Sequence, residues 1–137
     1  MARAVVGHVA TRSDEQPFLT PTTFWFDAGR REIYFHSNVT GRVRANADRH
    51  PEVCFEASEF GRLLPSNVAL EFSIQYASVI VFGKIRVVGD PDEKRRALDG
   101  LLRKNFPRSQ PGADYRPITE QELKRTSVYA IGVESWI

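Results

Sequence analysis

PFLTPTTFWFDAGRREIYFHSNVTGRVR, residues 17–44, changes its hydrophobic period once, and that change decides the fold. Up to Ser37 the stretch is rich in aromatic and β-branched residues broken by turn signals, which is a β pattern. PFLTPTTFWF (17–26) reads as one strand and EIYFHS (32–37) as another. DAGRR between them reads as a hairpin turn in which Gly29 is free to take positive φ. From Thr40 the period becomes helical: in TGRVRANADRH (40–50) Val43, Ala47 and Ala45 make a modest buried stripe, with arginines on the other faces. Pro51 ends this helix through its effect on the preceding residue.

Working outward, AVVGHVAT (4–11) is a strand and SDEQ a polar turn, so the N-terminal third reads as a three-stranded antiparallel meander. Residues 52–59 resume strand character, GRLLPSN reads as a loop, and 72–88 is the longest β run, where Gly83 suggests a bulge or barrel bend. Asp90-Pro91-Asp92-Glu93 is a helix start, with Asp90 as cap, Pro91 at the first helical position and Glu93 placed to reach back. The helix that follows carries Ala97, Leu98, Leu101 and Leu102 on one face. FPRSQPGADYRP is a Pro/Gly-rich loop, Thr119-Glu-Gln-Glu starts a short helix, and TSVYAIGVESWI closes the chain as a strand. About six strands with two or three helices outside the sheet give an α+β fold with a closed or half-closed antiparallel barrel.

The 137 residues suit one domain, 1–137, with a sizeable core. A net charge of +2, with bases spread among acids, gives no reason to expect nucleic acid. No apolar run approaches the roughly 18–20 residues of a membrane span. The first residues show no export signal, and the single cysteine, Cys54, suits a reducing compartment, so a cytoplasmic protein is expected. His8, His36 and His50 lack metal-ligand spacing, and no GxSxG or GxGxxG motif is present.

The strand-to-helix junction YFHSNVTGRVR (34–44) remains as a place for chemistry. A helix N-terminus offers free N–H groups and a dipole to an anion. Ser37, Asn38 and Thr40 add polar groups, and Arg42 and Arg44 add fixed positive charge. The plainer alternative is that Ser37, Asn38 and Thr40 cap the helix and the arginines form a solvated face. Likewise FWFD (24–27) and Trp136 either cover a planar ring or belong to the core.

Read in order, GHVAT (7–11), TPTTFWFDAGRREIYFHSNVTGR (20–42), NADRHPEVCFE (46–56) and YASVIVFGKIRVVGDPDEKRRALDGLLRK (76–104) resemble the pyridoxamine 5′-phosphate oxidase-related, FMN-binding split-barrel superfamily, and within it the nitroimidazole-resistance branch. The resemblance implies a six-stranded antiparallel split β-barrel with two or three flanking helices, acting as a homodimer with FMN at sites shared by both subunits. It implies that Thr22 and Thr23 lie beside the ring edge, that His36, Ser37 and Asn38 approach the ring and ribityl chain, and that Arg42 holds the phosphate. Tyr76 and Ser78 would close the site from the other subunit, and His36 would stand at the reactive position. Where the family pattern carries a second cation after Gly-Arg, this chain has Val43, and Arg44 is the residue that could compensate.

The expectation is therefore a flavin-dependent oxidoreductase reducing a small organic substrate, with a nicotinamide cofactor as one source of electrons. The alternatives are a flavin-binding protein or sensor without turnover, and a related barrel that takes a deazaflavin or haem.

Overall fold

The aromatic run at 17–26 breaks at Phe24, and that break organises the molecule. The computed structural model describes residues 1–137. Seven strands make one antiparallel sheet: β1 (Val6–Ser13), β2 (Gln16–Thr23), β3 (Trp25–Asp27), β4 (Glu32–Asn38), β5 (Glu52–Leu64), β6 (Ser73–Val87) and β7 (Thr126–Trp136). The helices are α1 (Arg42–Arg49), α2 (Pro91–Asn105) and α3 (Glu120–Arg125). The α+β class and the antiparallel barrel are as expected. The strand count is seven instead of six because the second run contributes two.

The sheet order is β2-β1-β5-β6-β7-β4-β3. Its two edge strands, β2 and β3, are consecutive in the chain and separated by Phe24 alone. A sheet joined in this way has to curl until its edges meet, as in a barrel. The expected meander is thereby corrected: β2 pairs with β1, whereas β3 pairs with β4 and β4 with β7. Phe24 is fully buried and meets Phe55 edge-to-face at 4.9 Å. Phe35 stacks on Tyr129 at the same separation of 4.9 Å, so both halves of the barrel contribute aromatic rings to one core.

Other differences have local causes. Strand β5 continues through Gly61–Leu64, which the loop reading had excluded, because a register shift between Phe60 and Leu63 lets pairing with β6 resume. In the turn after β3 the positive φ falls on Arg31 (56°), not Gly29, and Asp27 Oδ1 accepts from Gly29 N and Arg30 N. On α1 it is Asn46, not Ala45, that joins Val43 and Ala47 in the buried stripe. Asn46 Nδ2 donates to Thr11 Oγ1 at 2.9 Å, so a polar side chain can plug the barrel end without an unmet donor.

Helix α2 covers the outer side of β3, β4 and β7. Asp90 caps it as expected, accepting from Glu93 N at 3.1 Å. The Glu93 carboxylate does not return to the cap. It accepts from Arg86 Nη2 at 2.6 Å and lies 2.7 Å from the Tyr34 hydroxyl. Arg86 also reaches Glu32, and Arg96 bonds Tyr34 (2.8 Å) and Asp27, so α2 is tied to β3, β4 and β6 by one network. Trp25 stacks on Tyr34 at 5.6 Å beneath the Arg96 guanidinium. Gly100 lets this packing form, because a Cβ there would sit 2.3 Å from the Trp25 ring. At Gly83 a Cβ would lie 2.0 Å from the Gly132 carbonyl oxygen, and the β6–β7 register shifts at this point.

Gly83→Ala should therefore lower stability by about 1–3 kcal/mol, because the obstacle is main chain and cannot rotate away. Chemical denaturation reads this directly. The Arg86 hydrogen bond holds the Glu93 carboxyl down at about 2. Because the folded value lies below the ordinary Glu value of about 4.3, its stabilisation is complete above that pH and is lost as pH falls toward 2. Urea midpoints measured from pH 6 to 2 should drop less steeply in Glu93→Gln than in the wild type.

Candidate functional site

Strand alternation sorts the residues of the 34–44 junction onto two sides. Tyr34, His36 and Asn38 point toward α2, while Ile33, Phe35 and Ser37 point the other way. On the α2 side a cleft of about 650 Å³ opens where the helix no longer covers β4. Its floor holds Thr23, His36 and Thr126, its wall Leu98, Leu101 and Leu102 of α2, and its far side Phe106, Ile118 and Glu122. Asn38 pairs directly with Thr126, so the floor runs on along β4 toward the start of α1.

His36 makes no side-chain hydrogen bond, and the atoms crowding it push its imidazole below the ordinary value. It is therefore mostly neutral at pH 7, with both ring nitrogens available to a ligand. Lys104 also lines the cleft, but its Nζ donates to Ala4 O (2.6 Å) and Phe24 O (2.8 Å), and burial lowers its pKa to about 8. Glu122 is held by Arg116 and by the Thr119 capping box, and Arg3 by Glu59. The charged groups of the cleft are thus already partnered.

At the start of α1 the opposite holds. Gly41 is the cap residue, at φ 140°, and no side chain caps the helix. Ser37 Oγ donates to Asn38 O instead, so the capping alternative for Ser37, Asn38 and Thr40 does not apply. The first turn of α1 carries no acidic residue, so no carboxylate of its own offsets the free N–H groups there. Arg42 has no carboxylate partner, and its guanidinium lies over the Phe18 ring at 5.2 Å. Two residues beyond Phe18 on the same side of β2, the buried Thr20 hydroxyl has no hydrogen-bond partner. Thr22 follows on that side and donates to Thr23 O at 3.1 Å.

Arg44 is already occupied. Its Nε bonds Asp48 at 3.0 Å and its Nη1 donates to Ser127 Oγ at 3.4 Å. Val43 is buried in the core. Ser37 sits beside Arg44 on the barrel-mouth side, paired with Ser127 and 3.5 Å from the Tyr129 hydroxyl. Tyr76 and Ser78 lie on β6, are exposed, and do not line the cleft of their own subunit. Thr20, Phe18, Thr126 and the α2 wall were missed from the sequence. Only Thr20 left a signal, since it is a hydroxyl on the same strand face as Thr22.

The chain matches the model of the family described as pyridoxamine 5′-phosphate oxidase over residues 1–136. Among solved structures it is similar to a putative 5-nitroimidazole antibiotic resistance protein from Bacteroides thetaiotaomicron. That alignment has 21% identity and a TM-score of 0.82, and covers 98% of this chain and 76% of the other. It is similar also to the FAD and haem binding protein from Mycobacterium smegmatis, at 23% identity and TM-score 0.85, covering 98% of this chain and 64% of the other. The flavocytochrome Anf3 from Azotobacter vinelandii aligns at 22% identity and TM-score 0.79, covering 98% of this chain and 61% of that one. No curated protein matches the chain. These likenesses agree on the fold, and the family match over nearly the whole length makes this chain a member of the pyridoxamine 5′-phosphate oxidase family.

Proposed function

We propose that the protein is a flavin-binding oxidoreductase that holds FMN in the floor running from the His36 cleft to the start of α1. The observation that carries this reading is the unmet polar chemistry at one end of that floor. An uncapped helix N-terminus, a guanidinium without a carboxylate and a buried hydroxyl without a partner lie on adjoining elements. The Thr20 hydroxyl is buried and such groups are rarely left unpaired; beside it the exposed helix start and guanidinium are free to hold an anion, so the cluster fits a phosphate-bearing ligand. The half-apolar cleft at the other end fits a planar ring.

In this reading Arg42 and the α1 N–H groups hold the phosphate, Thr20 and Asn38 face the linker, and Thr22, Thr23 and His36 meet the ring. Ser37 and Arg44 shape the barrel-mouth side, and Tyr76 and Ser78 of the partner subunit complete the site in a homodimer. Bound flavin supplies two-electron transfer to a small organic substrate, with a nicotinamide cofactor as donor. His36, neutral at rest and unpartnered, holds and moves a proton at the cleft floor. Because the cleft's own charges are satisfied, an uncharged substrate suits it better than a phosphorylated one. The commitment of Arg44 to Asp48 leaves one free guanidinium, which favours a second reading in which the ligand is a deazaflavin or haem. No helix is long and apolar enough to cross a membrane, and the proposed setting is the cytoplasm.

Arg42→Ala should weaken FMN binding roughly ten- to a hundredfold, the loss of one charge-assisted contact of about 1.5–3 kcal/mol. Flavin titration followed by absorbance measures it, and unchanged affinity would remove Arg42 from the phosphate role. If His36 donates the proton, turnover of the wild type should fall as pH rises past a value below 6.5. His36→Gln should retain flavin and lose that pH dependence.

A further inference from the structure

Lys104 is the charged residue of the cleft whose charge nothing cancels. Arg3 has Glu59 and Glu122 has Arg116, each as an ion pair. The Lys104 Nζ donates to two carbonyls, Ala4 O at 2.6 Å and Phe24 O at 2.8 Å, and lies 3.3 Å from the centre of the Phe24 ring. It belongs to the last turn of α2, where the helix dipole favours a cation. All of these partners are dipoles or a ring face. They stand in for water around the ammonium, but none brings a negative charge. Burial with no acid beside it therefore draws its pKa down to about 8, and at pH 7 the group still carries most of its charge.

A partly buried cation without a counter-ion costs free energy, so its presence calls for a reason. Docking of α2 is not that reason, because Arg86–Glu93, Arg96–Asp27 and the packing of Gly100 on Trp25 already fix the helix. The position of the charge is more telling. The carbonyl that Lys104 holds belongs to Phe24, the residue after Thr23, and Lys104, Thr23 and His36 line one cleft. With two carbonyls and a ring face around it, the ammonium acts on the contents of that cleft through its field.

We propose that Lys104 is the fixed positive charge that makes this site favour bound flavin in its reduced form. The proposal rests on the flavin reading above and adds what the site does to the electron equilibrium. A hydride taken from the nicotinamide donor brings the ring two electrons and one proton. The donor leaves oxidised and the ring gains one negative charge, which it loses again when the hydride passes to the substrate. A cation at a fixed place stabilises the charged form over the neutral one. Across about 8–12 Å, at an effective dielectric of about 20, a unit charge shifts such an equilibrium roughly ten- to thirtyfold. His36 is mostly neutral, and the Arg3–Glu59 and Arg116–Glu122 pairs each sum to zero, so the net field in the cleft is that of Lys104. Arg42 stands at the other end of the floor, where it offsets the phosphate in both forms alike.

Dye-equilibration titration of the FMN-loaded protein reads the midpoint potential, and fluorescence titration reads the affinity for oxidised FMN. Lys104→Met keeps an unbranched apolar side chain and removes the charge. It should bind oxidised FMN as the wild type does but hold reduced FMN about tenfold or more weakly, lowering the midpoint by about 30 mV or more for a two-electron couple. Lys104→Arg should bring the potential back toward the wild-type value. A residue that only held the seam together would, when replaced, weaken both forms equally and lower the urea midpoint without moving the potential. A Lys104→Met potential equal to that of the wild type, or a Lys104→Arg potential as low as that of Lys104→Met, therefore overturns the proposal. Should Lys104→Met fail to fold, the wild type is compared with free FMN in the same buffer: tighter binding of the reduced form supports the proposal, and tighter binding of the oxidised form overturns it. A wild type that takes up no FMN overturns the flavin reading and this inference with it. Bound FMN whose potential ignores Lys104 overturns this inference alone.

Discussion

Phe24 is the residue on which the rest of the structure depends. It is the whole connection between the two edge strands of a seven-stranded sheet, so the barrel can close only if this one side chain is buried where the edges meet. Phe55 of β5 receives its ring, and Lys104 from α2 donates to its carbonyl. Closure brings β2 beside β4 without a ladder between them. The consequence for function is direct: Thr23 at the end of β2 and His36 on β4 share one cleft floor because the seam holds them there.

The arginines divide by what they already touch. Arg86 and Arg96 are committed to carboxylates and to Tyr34, and they fix α2 against the sheet. Arg44 is committed to Asp48 and Ser127. Exposed single pairs such as Arg3–Glu59 contribute little, typically about 0–1 kcal/mol. The shared network around Tyr34 differs because its members are partly buried and several hydrogen bonds meet at one hydroxyl. Arg42 is the exception among these, resting on an aromatic face beside an uncapped helix.

The two faces of the barrel have different fates for a related reason. One half is sealed by α2 and α3, so its outer positions can be apolar (Tyr34, Val128 and Ala130) and buried within the subunit. The other half has the same alternation, but its outer positions face water in the single chain.

Much of the architecture was legible from residues alone. Alternation identified the strands, the shift in period at Thr40 located α1, and Asp90 and Thr119 marked helix starts that the caps bear out. What composition could not decide was pairing. PFLTPTTFWF is uniformly strand-like, and nothing local distinguishes a single strand from two that part company at Phe24, because the difference lies in which distant strand each half bonds. The same limit applies to the site. Arg42 and Arg44 are chemically alike and one helical turn does not separate them, yet Asp48 takes one and leaves the other. Gly83 and Gly100 were small for reasons found only in Gly132 and Trp25, residues far away in sequence. The sequence by itself determined the elements and the kinds of residue near the junction, since these depend on neighbours within a few positions. Tertiary structure alone decided which strands share an edge, which cations stay free and which face stays bare, because each is settled by long-range contacts.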